Sequence, residues 1–275
     1  MKVVLAKNLG FCFGVKRAIN IAEEFKNTPT LGPLIHNKKE IDRLQEDFGV
    51  SVIDSAELAL EESSVIVRTH GIEKDKRELL KKRGVEIIDA TCPYVTKPQK
   101  ICEDMSEDGY QIVIFGDIEH PEVKGVMSYS KSTPIVVGSV EELKSLEFDQ
   151  KVALVSQTTK KISNFLKIVD HLVKKCGEVR VFNTICNATA QNQDAARELA
   201  KESDIVIVVG GKNSSNTKQL LTICKEYTDA YLVEDESEIE EEWFRGKSSC
   251  GVSAGASTPD WIISKIVKKI EGYQF

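Results

Sequence analysis

The sequence predicts an α/β fold made of three similar small modules closed into a ring. Short β-branched segments alternate with charged segments of helical spacing, which is typical of parallel α/β units. Three cysteines, Cys12, Cys92 and Cys186, each end a predicted strand and precede a predicted helix. The stretches between them are about as long as one small βαβαβ unit, so these cysteines indicate a threefold internal repeat.

The individual elements follow from apolar periodicity along the chain. Predicted strands, most of them continuous apolar runs as doubly covered parallel strands should be, lie at residues 2–6, 64–69, 85–90, 111–116, 134–138, 152–156, 179–183, 204–210 and 250–255. Predicted helices lie at residues 15–26, 38–48, 74–83, 96–108, 163–175, 190–202, 217–227 and 259–271.

Each module carries two polar turns besides its cysteine. They are LGPLIHN and RTHG after Cys12, FGDIEHPE and SQTT after Cys92, and GGKNSSN and SAGAST after Cys186. The expected modules are residues 13–92, 93–186 and 187–275. The last module has no cysteine strand of its own, and the N-terminal segment 1–12 can supply one. Because ligands bind beyond the carboxyl ends of parallel strands, we expect these tips to form one site.

The composition narrows the classes of protein. Hydrophobic residues make up 41% of the 275 residues and charged residues 29%, as in ordinary soluble globular proteins. The formal net charge of −6 disfavours binding to nucleic acid or to an anionic membrane. No apolar run approaches the ~20 residues of a membrane span, and the first apolar run is too short for a signal peptide. We therefore expect a cytoplasmic protein.

Seven cysteines in such a chain point to thiol, metal or redox chemistry rather than to a disulfide framework. Three thiolates from three modules can bind Zn²⁺ or an iron–sulfur cluster. No closely spaced cysteine pair is present, which excludes a zinc knuckle and ordinary ferredoxin loops. A cubane [4Fe–4S] cluster with three thiolates remains, and its open iron can act as a Lewis acid toward a substrate oxygen. The other four cysteines are expected to be structural: Cys102, Cys176, Cys224 and Cys250.

Three of the four histidines also lie at tips, namely His36, His70 and His120. Together they favour anion binding or a second metal, whereas His171 lies within a predicted helix and is interpreted as structural.

Two serine-rich turns precede helices and fit a phosphate group. They contribute Ser214, Ser215 and Asn216 in one turn and Ser257 in the other. Backbone N–H groups and the helix dipole favour an anion there, although plain N-capping is the alternative. The Walker pattern is absent, so a nucleoside triphosphate is not indicated.

A proton donor is expected near His120. Glu122, held by Pro121, suits this role, and from the residues alone Glu119 is an equal competitor. Thr158 and Thr159 either cap a helix or pass a proton to a bound hydroxyl.

Nine ordered motifs resemble the LytB family of 4-hydroxy-3-methylbut-2-enyl diphosphate reductases. They are LGFCFGV, GPLIHN, RTHG, DATCP, HPEVKG, SQTT, TICNAT, GKNSSN and GVSAGAS, and they run from residue 3 to about residue 260. The resemblance implies reductive removal of an allylic hydroxyl, giving isopentenyl and dimethylallyl diphosphate in the last step of the non-mevalonate pathway. It also implies a pseudo-threefold ring of modules around a central iron–sulfur cluster.

The same resemblance implies roles for single residues. One [4Fe–4S] cluster per chain would be held by Cys12, Cys92 and Cys186. Glu122 and Thr158 would handle the substrate hydroxyl and its proton, which favours Glu122 over Glu119. The residues implied to bind the diphosphate are His36, His70, His120, Ser214, Ser215, Asn216 and Ser257, with Thr158 also touching the substrate. Electrons would come from an external ferredoxin or flavodoxin.

Two other classes compete with an enzyme. A metal- or cluster-based redox sensor without turnover explains the thiols but leaves the histidine and serine tips without a role. A periplasmic-type binding module explains the polar tips, but the expected lack of a signal sequence counts against it.

Overall fold

The computed structural model of the protein describes residues 1–273. The strands are β1 Lys2–Leu5, β2 Thr30–Leu31, β3 Val52–Ile53, β4 Ser64–Val67, β5 Glu86–Asp89, β6 Gln111–Phe115, β7 Ile135–Val137, β8 Lys151–Ser156, β9 Glu178–Val181, β10 Ile205–Val209, β11 Asp229–Val233 and β12 Ser249–Ala254. The helices are α1 Phe13–Glu24, α2 Lys38–Phe48, α3 Ala56–Ala59, α4 Lys74–Lys82, α5 Pro93–Glu107, α6 Pro121–Met127, α7 Val140–Leu143, α8 Ile162–Val173, α9 Asn187–Lys201, α10 Ser215–Cys224 and α11 Asp260–Glu271. Two short 3₁₀ helices span Glu236–Glu238 and Glu241–Phe244.

The strands form three four-stranded sheets, and every pairing is parallel. Their strand orders are β3-β2-β4-β5, β7-β6-β8-β9 and β11-β10-β12-β1. The predicted α/β class, with three similar parallel sheets, is confirmed. In the third sheet the N-terminal strand β1 occupies the place that β5 and β9 hold in the other two, with Lys2 opposite Ser249. The module boundaries at residues 92 and 186 stay a prediction.

The chain divides into two compact units. The first comprises Met1–Lys16, Ile35–Arg43 and the described part of Asn187–Phe275, and it contains the sheet of β11, β10, β12 and β1. The second comprises Arg17–Leu34 and Leu44–Cys186, and it contains the other two sheets.

The cores lie where the apolar runs of the sequence place them. All five residues of β10 are buried, and so are five of the six in β8, because helices cover both faces of a parallel sheet. The last strand in each sheet order, such as β9, is more exposed, which fits an edge strand. No helix in residues 1–273 is long and apolar enough to cross a membrane.

The structure differs from the predicted elements in a few places. Helix α5 begins at Pro93 rather than at residue 96, because proline fits the first helical position, where its missing N–H costs nothing. Strands β2 and β3 have only two residues each, too few for a periodic signal. Strand β11 is an edge strand of mixed burial, and helix α6 has only seven residues.

Candidate active site

The three tip cysteines share one local geometry. Each is the residue immediately before a helix: Cys12 before α1, Cys92 before α5 and Cys186 before α9. The backbone N–H of each donates to a carbonyl oxygen two residues beyond the end of the neighbouring strand. The donor and acceptor pairs are Cys12 and Ala256 at 3.1 Å, Cys92 and Thr69 at 3.0 Å, and Cys186 and Thr158 at 3.0 Å. The repeat seen in the sequence is therefore a repeat of backbone geometry.

Two of the cysteine loops contain the same Asx turn. The Asp89 Oδ1 atom accepts the N–H of Thr91 at 3.0 Å, and the Asn183 Oδ1 atom accepts the N–H of Ile185 at 3.2 Å. In both cases the acceptor side chain lies three residues before the cysteine. Such turns fix the backbone that presents the thiol.

Two arginines add to the loop before Cys92. The Arg17 guanidinium donates to the carbonyl oxygens of Asp89 at 3.0 Å and Thr91 at 3.2 Å. Arg77 forms an ion pair with the Asp89 carboxylate at 2.9 Å. Burial favours the neutral form of Asp89, but the bonds from Thr91 and the Arg77 charge outweigh it and hold the Asp89 pKa below its ordinary value. Sequence analysis missed Arg17, Arg77 and Asp89, whose side chains meet only in the folded chain.

The thiols of the tip cysteines fit a soft metal group such as an iron–sulfur cluster. Cys12, Cys92 and Cys186 are free and half-buried, so their sulfurs are accessible. Cys102, Cys224 and Cys250 are fully buried, and burial raises the pKa of each to about 12. Thiolate is the form that binds a metal, so these three are poor ligands. Burial also raises the pKa of Cys176, which lies beyond the end of α8.

Glu122 forms a closed pair with Thr158. The Glu122 side chain is 2% exposed, and its two oxygens accept the backbone N–H and the hydroxyl of Thr158, each at 2.7 Å. Burial raises the Glu122 pKa, while the Thr158 bonds and the charge of Lys160 oppose that rise. A carboxyl group in this setting is a suitable proton donor. Glu119, by contrast, is exposed and pairs with Lys124 at 2.8 Å.

His120 is fixed by the start of helix α6. Its Nδ1 accepts the backbone N–H of Glu122 at 3.2 Å, so in the neutral ring Nε2 carries the proton. The ring of His70 packs edge-to-face on it, with centroids 5.3 Å apart. Gly71, next to His70, has φ +72°, and a Cβ atom there would lie 2.8 Å from the Gln99 amide nitrogen. This turn therefore requires glycine.

In the other unit, the polar tips surround the start of α10. Ser214 caps the helix by accepting the N–H of Thr217 at 3.3 Å, and Ser215 is the first helical residue. Asn216 is 5% exposed, and neither polar atom of its amide has a hydrogen-bond partner in the described part of the chain. A buried, unsatisfied amide at a helix N-terminus fits an anionic ligand.

Ser257 and His36 are linked in the same unit. The Ser257 hydroxyl donates to the His36 carbonyl oxygen at 3.3 Å. A Cβ atom at Gly211 would lie 2.3 Å from that oxygen, so only glycine lets the two backbones approach this closely. His36, Ser257 and the turn before α10 are thus held together by backbone contacts.

The remaining predicted residues lie outside these groups, and two neighbours of Thr158 were missed. Thr159 is half-exposed, and His171 lies on α8 beside the Phe148 ring at 6.4 Å. Gln157 is 2% exposed, with its Oε1 accepting the N–H of Asp117 at 3.0 Å. Lys160 lies two residues beyond Thr158. Both belong to or directly follow the SQTT motif, which was the available signal.

Comparisons with known proteins agree on one family. The family model described as LytB protein matches residues 3–271. A relative from Wolinella succinogenes, named 4-hydroxy-3-methylbut-2-enyl diphosphate reductase, is 64% identical over the full length of both chains. One of the same name from a Nitratiruptor species is 61% identical, also over both full lengths.

Solved structures give the same result. A structure described as (E)-4-hydroxy-3-methyl-but-2-enyl diphosphate reductase, the terminal enzyme of the non-mevalonate pathway, has 40% identity and a TM-score of 0.70 over 99% of this chain and 100% of that one. The E-1-hydroxy-2-methyl-but-2-enyl-4-diphosphate reductase from Plasmodium falciparum has 28% identity and a TM-score of 0.91, covering 97% of this chain and 87% of that one.

Proposed function

The chain belongs to the LytB protein family, and from that premise we propose that it is a 4-hydroxy-3-methylbut-2-enyl diphosphate reductase. The proposal is carried by the match over the whole chain to relatives of that name. The reaction replaces the allylic hydroxyl by hydrogen, consumes two electrons and two protons, and releases water. Its products are isopentenyl diphosphate and dimethylallyl diphosphate.

The enzymes of this family are iron–sulfur proteins, and we propose one [4Fe–4S] cluster per chain with Cys12, Cys92 and Cys186 as its three ligands. The repeated backbone geometry and the half-buried state of these thiols support this choice. When bound, such a cluster supplies single electrons and an open iron for a substrate oxygen.

Glu122 is the proposed proton donor to the departing hydroxyl. Burial keeps its carboxyl protonated to higher pH than an exposed glutamate, so a proton is available when substrate binds. Thr158 holds both Glu122 oxygens, which fixes the direction of the acid, and its own hydroxyl lies within reach of a bound substrate hydroxyl. After the transfer, the Thr158 donors stabilise the Glu122 carboxylate.

The diphosphate is proposed to bind to neutral or cationic donors at the tips. These are His36, His70, His120, Ser214, Ser215, Asn216 and Ser257. The unsatisfied amide of Asn216 and the start of α10 support an anion there. Anchoring the diphosphate orients the hydroxyl end of the substrate toward the reacting group.

Electrons are proposed to come from an external ferredoxin or flavodoxin, because the sequence carries no flavin or nicotinamide fingerprint. We place the protein in the cytoplasm. Its seven cysteines are all free, which suits a reducing compartment.

The proposal is tested by comparing Glu122→Gln with Glu119→Gln under anaerobic conditions. Glu122→Gln should keep its cluster and its affinity for the allylic diphosphate but lose turnover by about 10²-fold or more. Glu119→Gln should behave like the parent, because Glu119 forms only an exposed ion pair. Full activity in Glu122→Gln would remove Glu122 from its role. No turnover by the parent enzyme would favour a redox sensor or a binding module instead.

A further inference from the structure

Lys160 is held in a tight turn beside the proposed proton donor. Its backbone N–H donates to the Gln157 carbonyl at 3.3 Å, and the Gln157 N–H donates to the Phe115 carbonyl at 2.8 Å. The ammonium lies 5.2 Å from the centroid of the Phe115 ring, and that ring is 1% exposed. The lysine side chain is therefore packed on an aromatic face rather than extended into solvent.

Three acids from three different elements face this ammonium. Their charges act on Lys160 from the loop after β6, from α7 and from α6, through Asp117, Glu142 and Glu122 respectively. Burial lowers the Lys160 pKa, and these acids counteract that effect. Two of them are already engaged elsewhere: Asp117 accepts the Glu119 N–H at 3.0 Å, and Glu142 accepts the Gly138 N–H at 2.9 Å.

Seen from Glu122, Lys160 is a special neighbour. Of the lysines and arginines in residues 1–273, only Lys160 contributes to the Glu122 pKa, and it lowers it. The other titratable groups near Glu122 are His120, whose Nδ1 accepts the Glu122 N–H, and His70, which packs on His120. A buried carboxylate needs compensation once it has lost its proton, and Thr158 supplies only neutral donors.

We propose that Lys160 is a positioning residue for proton transfer at Glu122: its ammonium, held against Phe115, stabilises the carboxylate that remains after Glu122 has given its proton to the substrate. The proton moves from the Glu122 carboxyl to the substrate hydroxyl oxygen, which leaves as water, and Lys160 keeps its own proton throughout. This inference rests on the proposed role of Glu122 as the donor.

The test compares charge removal with charge retention in the full-length holoenzyme. Lys160→Met and Lys160→Gln remove the charge, and Lys160→Arg keeps it. Without the charge the carboxylate is less stable, so Glu122 stays protonated to higher pH. The limb on which kcat falls with rising pH should therefore move upward by about one pH unit. Because Glu122 is then a weaker acid, kcat at neutral pH should fall about 3- to 10-fold. Lys160→Arg should remain close to the parent on both measures.

Infrared spectroscopy gives a readout that does not depend on turnover. The carboxyl band of Glu122 is identified by its loss in Glu122→Gln, and its pH titration should move upward in Lys160→Met and Lys160→Gln. If Glu122→Gln retains turnover, the proposed function of Glu122 fails. If Glu122→Gln is inactive while the band and the pH limb stay unchanged in both charge-removal variants, the Lys160 proposal alone is wrong. Equal loss of kcat in all three Lys160 variants without a pH shift would also overturn it.

Discussion

The guanidinium of Arg17 is predicted to stabilise the loop that presents Cys92. The half-buried Arg17 makes two hydrogen bonds, to the carbonyl oxygens of Asp89 and Thr91 at 3.0 and 3.2 Å. Each bond contributes about 1 kcal/mol net, so Arg17→Met should destabilise the fold by about 2 kcal/mol. For a chain of this size that corresponds to a fall in Tm of about 5 °C.

The assay uses calorimetric melting of the cluster-free chain and, separately, the rate of iron release from the holoenzyme to a chelator. Arg17→Met should lower Tm and accelerate iron release, because the backbone before Cys92 loses two restraints. Arg197→Met is the matched control, since Arg197 makes only an exposed pair with Asp194 on the same helix. An unchanged Tm and an unchanged rate of iron release in Arg17→Met would refute the reasoning.

Further outcomes follow from the thiols and from one surface acid. In the cluster-free folded chain, Cys102, Cys224 and Cys250 should resist alkylation at neutral pH because burial raises the pKa of each to about 12, whereas Cys12, Cys92 and Cys186 should react; mass spectrometry of the alkylated chain would contradict this if the two groups reacted alike. Cys102→Ser should keep its cluster by iron analysis, while Cys92→Ser should lose it, and cluster loss in Cys102→Ser would overturn the choice of ligands. Bonds from Ser237, together with the Lys39 charge, lower the Asp235 pKa to about 2. Its stabilising contribution should be complete above its unfolded value near 3.8 and be lost as pH falls through about 2, and Ser237→Ala should move the titration upward by NMR.

The cysteine tips and the parallel sheets could be predicted because they depend on local sequence signals. A buried strand such as β10 is one continuous apolar run, and each tip cysteine stands at the change from strand to helix spacing. The two-residue strand β2 has no such signal, because its place in the sheet depends on pairing with β3 and β4.

The surroundings of the site could not be predicted from the residues in the same way. The contact between Arg17 and Thr91 spans 74 positions in the chain, and no local pattern reports it. From the residues alone, Glu119 and Glu122 are equal candidates. The fold separates them, since Glu119 lies on the surface and Glu122 is buried against Thr158.

The reductase assignment is tested most directly by one anaerobic experiment on the full-length chain. Iron and sulfide are measured on the purified protein, and the allylic diphosphate is then added with a one-electron reductant. About four irons and four sulfides per chain, with conversion to the two five-carbon diphosphates, is the predicted result. Bound zinc, no metal after careful reconstitution, or a loaded cluster without turnover would contradict it.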